Sequence, residues 1–301
     1  MLISFLKKSI RYLKAKLTPG DKFPPIHYKS PFTALTNFFP YSWLRIHLWS
    51  MIAKQYKPFR PFYGGEISEQ TNDGRIAELY KKGYFVIENF LEKQSHEKLC
   101  EEINSIVEQR LNEMETFNMN KDGNLIHFNV NLDPEKASKE LIPPLSFFTH
   151  HFFGSNKTLH PDQFGLDIYI SKDGIDDEGG SAPACNWHRD RFVPVVKAIY
   201  FPFGCDWSPF GRELGSPLIT KEYKKNMINV ACSGTNSEPD PPNSYESIVE
   251  PNTMLFGAHH MLHRRTPIST PGKRVAIFLN WYNAFDKYKL IRRSVSSLFK
   301  N

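Results

Sequence analysis

The sequence predicts a mainly β protein with flanking helices, its core a sandwich or barrel of short strands. Three observations lead there. From Gly165 onward, "GLDIYIS", "RFVPVVKAIYFPF", "NMINVAC", "NTMLFGA" and "RVAIFLNWY" are β-branched and aromatic runs separated by Gly, Pro, Asn and Asp clusters. Upstream, "LYKKGYFVIENFLEKQSHEKLCEEINSIVEQRL" changes from a strand pattern to a period of 3.6. The composition, 40% hydrophobic with 24 Phe in 301 residues, is that of a globular chain.

Residues 1–17 place Leu2, Phe5 or Leu6, Ile10, Leu13 and Leu17 on one side of a helix. Lys7, Lys8, Arg11, Lys14 and Lys16 fall largely on the other, the pattern of a helix lying in a membrane interface. Lysines interrupt the apolar stretch and no small-residue cleavage site follows, so a secretory signal fits poorly; a mitochondrial-type presequence stays open as a second reading. "TPGDKFPP" breaks this helix, and an aromatic, Pro-containing segment runs to about Gly65. Tyr84–Ile87 reads as a short strand. A helix beginning near Ser95 buries Leu99, Ile103, Ile106 and Val107. Two loops, "SKDGIDDEGGSAPA" and "CSGTNSEPDPPNSYE", interrupt the β-rich half, and long loops on a rigid β scaffold are where sites are usually built.

The chain carries a net charge of +6, concentrated at both ends. That favours anionic partners, although a charge run is more often a solvated face. No interleaved basic and aromatic stripe marks it for nucleic acid. No stretch of 18 apolar residues occurs, so no membrane-spanning helix is expected. Cys100, Cys185, Cys205 and Cys232 are scattered without metal-site spacing, which points to a reducing compartment and a cytoplasmic location.

The chemistry centres on "ACNWHRDRFVP", with His188 and Asp190 two residues apart. A kinase loop needs an asparagine five residues after the aspartate, and Val195 stands there; no DFG or glycine-rich phosphate loop exists either. On a strand, residues i and i+2 share a face, so His188 and Asp190 present an imidazole and a carboxylate to one point. A third ligand would complete a two-histidine, one-carboxylate iron site with open positions. Alone, the pair is weak evidence. Downstream, "NTMLFGAHHMLHRRTPISTPGKRVAIFLNWY" offers His259, His260 and His263, then a strand opening with Arg274, whose planar fork suits a carboxylate.

In the order WHxD, some seventy residues, histidine, then arginine eleven positions later, the chain resembles the phytanoyl-CoA dioxygenase family of Fe(II)/2-oxoglutarate oxygenases. "GYFVIENFLEKQSHEKLCEEI" is similar to that family's strand–helix entry, and the resemblance covers roughly residues 79–284. It implies a double-stranded β-helix core of the jelly-roll or cupin type, with Fe(II), 2-oxoglutarate and O2 as cofactor and co-substrates. It further implies His188, Asp190 and His263 as metal and catalytic ligands and Arg274 as the 2-oxoglutarate anchor, the spacing to Arg274 selecting His263 over its neighbours. Tyr169, Lys197 and Tyr200 are strand residues placed to touch 2-oxoglutarate or simply to pack. Asn280 is either a substrate contact or a satisfied core group. Alternation from Arg274 sets Ala276, Phe278 and Asn280 on the inner face, with Val275, Ile277 and Leu279 packed outward. Arg264 and Arg265 after the histidine, and "GRELGSPLITKEYK" in place of a Gly-Ser-His segment, depart from the family pattern.

The expected division is an N-terminal extension (1–75), a dioxygenase domain (76–285) and a basic tail (286–301). The expected reaction is hydroxylation of a small-molecule or conjugated, anionic substrate, with release of succinate and CO2. Asp190 argues against halogenation, because family halogenases carry a small residue there. The competing readings are a catalytically inactive oxygenase fold acting as a peripheral membrane or assembly factor, with residues 1–17 as the contact, and an oxygenase of nucleic acid.

Overall fold

The structure is a computed structural model describing residues 73–82, 84–113, 118–119, 125–132, 141–153, 161, 163–173, 196–204, 217–220, 244–246, 249–258, 263–265 and 271–281. Residues 1–17, the strand expected at "NMINVAC" and the basic tail lie outside them.

Helix α1 (Gly74–Lys82) opens the described chain. Asp73 caps it: Oδ1 accepts the Arg75 backbone N–H at 2.9 Å, and the Arg75 guanidinium returns to the same carboxylate at 2.7 and 3.0 Å. That guanidinium hydrogen bond holds the Asp73 carboxyl below its usual range. Ile76, Leu79 and Tyr80 form the buried stripe of α1. Strand β1 (Tyr84–Ile87) leads into helix α2 (Lys93–Glu113), both where the sequence places them. Leu99, Ile103 and Val107 of α2 are buried and Ile106 packs against the core. Helix α3 (Ser146–Phe153) follows a single 3-10 turn at Pro143–Leu145. Its Phe148 lies 4.8 Å from the Phe256 ring, which stacks on Phe85 at 4.5 Å.

The remaining strands are β2 (Asn118–Met119), β3 (Leu125–Asn131), β4 (Gln163–Ser171), β5 (Val196–Phe201), β6 (Pro217–Thr220), β7 (Ser244–Glu246), β8 (Thr253–Ala258), β9 (His263–Arg265) and β10 (Gly272–Trp281). They make a seven-stranded sheet, β1-β8-β5-β10-β4-β3-β2, and a three-stranded sheet, β7-β6-β9, antiparallel throughout. From β4 to β10 the chain passes back and forth between the two sheets. Its first and last strands, β4 and β10, are neighbours in the large sheet, followed by β5 and then β8. This is the strand order of a double-stranded β-helix of the jelly-roll type. The expected fold class is therefore realised.

The large sheet has two distinct faces because its strands alternate. Val196, Ala198, Tyr200, Met254, Phe256, Val275, Ile277, Leu279 and Trp281 join α1, α2 and α3 in the main core. Tyr84, Phe201, Leu255 and Ala276 form a second cluster, with Val86, Ile199 and Phe278 packed on it. The strand pattern read from Arg274 is therefore correct on both sides of β10.

A polar network ties the helical entry to the sheet. Asn252 Oδ1 accepts the Leu91 N–H at 3.0 Å and the Tyr200 hydroxyl at 3.0 Å, while its Nδ2 donates to Leu91 O at 2.8 Å. Tyr200 thus donates to Asn252 and accepts from His96 Nδ1 at 2.7 Å. Asn252 has φ +60°, a left-handed conformation that asparagine tolerates better than most residues. Nearby, Gly204 has φ +70°, and a Cβ there would meet Val249 O at 2.7 Å, so this turn requires glycine.

Candidate functional site

The second face of the large sheet carries the polar side chains that the main core excludes. Arg274, Ala276, Phe278 and Asn280 project from β10 on this face, and Asp167 and Tyr169 from β4. Arg274 pairs with Tyr169, which pairs with His127 on β3, so these three side chains form one row across three strands.

Arg274 is 6% exposed, and its Nε has no hydrogen-bond partner among the described residues. Its Cζ lies 5.9 Å from the Tyr169 ring centroid and 5.7 Å from that of Phe201. Among the described residues no carboxylate forms an ion pair with it. A buried polar group left without a partner costs about 1–3 kcal/mol, and a buried guanidinium seeks an anion. Thr253 Oγ1, on the strand position that alternates with Leu255, is a second buried polar atom in the same condition. The face thus joins a buried cation to apolar walls from Phe201, Leu255 and Ala276. That combination suits a small anionic molecule with a carbon chain.

Tyr169 is half-buried, and its ring lies between Arg274 and His127. The His127 imidazole stacks on it with centroids 4.0 Å apart and planes at 10°. His127 Nε2 is 2.7 Å from Asp167 Oδ1. Neither His127 nor Asp167 is singled out by the sequence. Their signal is the alternation in "LIHFNVN" and "GLDIYIS", which puts each on the same face as Tyr169.

Lys197 lies on this face as well, its Nζ 4.2 Å from the Phe278 ring centroid. It pairs with Asn280, six residues along β10 from Arg274. At about 3.3 Å per residue that is roughly 20 Å between their backbones. Lys197 and Arg274 therefore start from opposite ends of the face. Tyr200, in contrast, faces the helices and gives its hydroxyl to Asn252, so its reading as a packing residue is the one realised.

His188 and Asp190 lie outside the described residues, as do His259 and His260. His263 opens β9 and pairs with Ile219 of β6. The described strands nevertheless fix where the chain enters and leaves. Val196 follows Asp190 by six residues and Ala258 precedes His263 by five, and Val196 and Ala258 are register partners. Trp281, at the end of β10, pairs with the same Val196. The expected ligand segments are thereby attached to one end of the sheet, the end that carries Lys197 and Asn280. Among the described residues no cluster of three metal-ligating side chains occurs. No helix among them is long and apolar enough to cross a membrane.

No family model matches the chain, and no curated protein matches it. Among solved structures, HygX from Streptomyces hygroscopicus, with nickel, 2-oxoglutarate and hygromycin B bound, is similar over 70% of this chain and 86% of its own, at 15% identity and a TM-score of 0.43. AviO1 from Streptomyces viridochromogenes Tue57 is similar over 70% and 96%, at 14% identity and a TM-score of 0.46. A prolyl hydroxylase from Trichoplax adhaerens, in complex with a hypoxia inducible factor oxygen degradation domain peptide fragment, is similar over 72% and 90%, at 13% identity and a TM-score of 0.44. These scores lie below 0.5, so the likenesses carry no argument of their own, and the fold rests on the strand order of the chain.

Proposed function

We propose that this chain is an Fe(II)/2-oxoglutarate-dependent oxygenase that hydroxylates a small-molecule or conjugated substrate, releasing succinate and CO2. One observation carries the reading most: Arg274, a buried guanidinium with an unpartnered Nε, on a face walled by Tyr169, Phe201 and Ala276. The far carboxylate of 2-oxoglutarate would meet its parallel donors there, with the Tyr169 hydroxyl beside it. The donor set suits the metal too: neutral imidazoles of His188 and His263 and the carboxylate of Asp190 would hold Fe(II) and leave three positions open. When bound, iron with 2-oxoglutarate and O2 supplies the oxidising chemistry.

The chain supplies binding and shape. Arg274 neutralises one end of the co-substrate, while Phe201, Leu255, Ile199 and Phe278 keep water from the face between that end and the ligand-bearing end. Lys197 and Asn280, at the ligand-bearing end, belong to the substrate rather than to the far carboxylate. With Arg264 and Arg265 close behind His263, they favour an anionic substrate, such as a phosphorylated or acyl-linked compound. The test is turnover in the absence of substrate. Purified protein with Fe(II), ascorbate, O2 and 2-oxoglutarate should release succinate slowly, and the Asp190→Ala variant should release none. Equal succinate from both proteins would remove the proposal.

A further inference from the structure

We propose that His127 is a positioning residue for the 2-oxoglutarate site: it fixes the ring of Tyr169 against Arg274. The proposal rests on the oxygenase reading above, and it adds a residue on a strand that precedes the β4–β10 helix. Tyr169 is only half-buried and sits between two register partners, Arg274 on β10 and His127 on β3. A tyrosine in that place needs a wall on the side away from the guanidinium to hold its hydroxyl in one position. His127 supplies the wall as a parallel ring 4.0 Å away.

The imidazole is itself anchored. Its Nε2 donates to Asp167 Oδ1 at 2.7 Å, and Asp167 lies two residues before Tyr169 on the same face of β4. The ring cannot turn about its Cβ–Cγ bond without losing that bond. Asp167 gains a partner by the same contact. An unengaged carboxylate two residues from Tyr169 would oppose an anion at Arg274; one that accepts from His127 is directed toward β3 instead. The chain of support therefore runs Asp167, His127, Tyr169, Arg274, with every link made by neighbouring strands.

The experiment measures binding of 2-oxoglutarate and of Ni(II), used in place of iron, to the full-length protein by titration calorimetry. His127→Leu fills the space without a ring face or a donor, and His127→Phe keeps the stacked ring. His127→Leu is expected to weaken 2-oxoglutarate about ten-fold while leaving Ni(II) affinity within two-fold, because none of the expected metal ligands lies on β3 or β4. His127→Phe should recover binding to within about three-fold of the native chain. A general loss of structure would weaken both ligands together and would overturn the positioning role. So would native 2-oxoglutarate affinity in His127→Leu. If the native chain binds no 2-oxoglutarate at all, the oxygenase reading fails and this inference with it.

Discussion

Asn252→Ala removes the residue on which the helical entry, β5 and the turn before β8 converge. Three side-chain hydrogen bonds disappear, to Leu91 N, Leu91 O and Tyr200 Oη. The Leu91 N–H and C=O are buried and lose these partners, while the Tyr200 hydroxyl keeps only its contact with His96 among those described above. A typical buried hydrogen bond contributes about 1 kcal/mol, so the set contributes about 3 kcal/mol. Alanine at φ +60° adds about 1 kcal/mol of backbone strain that asparagine largely avoids. Together these predict a loss of about 4 kcal/mol, seen as a lower urea midpoint and a melting temperature roughly 10 °C down. Asn252→Gly separates the two contributions. It loses the same hydrogen bonds without the strain and should lie about 1 kcal/mol above the alanine variant. If Asn252→Ala costs less than about 1 kcal/mol, the network is not what holds α2 to the sheet, and the reasoning fails.

The Arg274→Ala variant should weaken 2-oxoglutarate binding by about ten- to a hundred-fold, the worth of a charge-assisted pair, with an unchanged melting temperature or a higher one, since it removes a buried unpartnered donor. Burial lowers the pKa of both His96 and His151, so each is held neutral in the fold while the unfolded chain titrates near the ordinary value of about 6.5. Their contribution to stability is complete above that value and is lost as pH falls through it toward the folded pKa. Thermal melts from pH 7.5 to 5.5 should show this loss, and a His96→Gln, His151→Gln double variant should flatten it. Burial also pushes the Lys273 ammonium down to about 8, so its charge is a burden on the fold at neutral pH and ceases to be one as pH rises. Lys273→Met should melt higher than the native chain at pH 7, and the gap should close by pH 10.

The face pattern of β10 was legible because a ten-residue strand repeats its alternation often enough to be read: Val275, Ile277 and Leu279 on one side, Ala276 and Phe278 on the other. Helix α2 was legible for the same reason, its apolar residues recurring from Leu99 to Leu111 over more than three turns. Helix α3 was not, because "SFFTHHFF" is barely two turns long and carries its aromatics in adjacent pairs, too short a run to show a stripe. Strands β6, β7 and β9 are three or four residues long, too short for any period to show. Arg274 could be picked out as a candidate carboxylate anchor from its place at the head of a strand and from the family resemblance, but its burial and its company could not be read. His127 and Asp167 come together only through the β3–β4 register, and a register is a tertiary fact. The place of Lys197 is likewise a fact of register: its pairing with Asn280 sets it six residues along β10 from Arg274.

The oxygenase reading turns on whether His188, Asp190 and His263 meet at one metal while Arg274 holds the co-substrate. Anaerobic addition of Fe(II) and 2-oxoglutarate to the purified chain tests all four at once, through the visible charge-transfer band that forms only when both are bound to the same centre. The native chain should develop the band, and Asp190→Ala and His263→Ala should not. A native chain that stays colourless at saturating Fe(II) and 2-oxoglutarate, or a His263→Ala variant with the full band, would contradict the assignment.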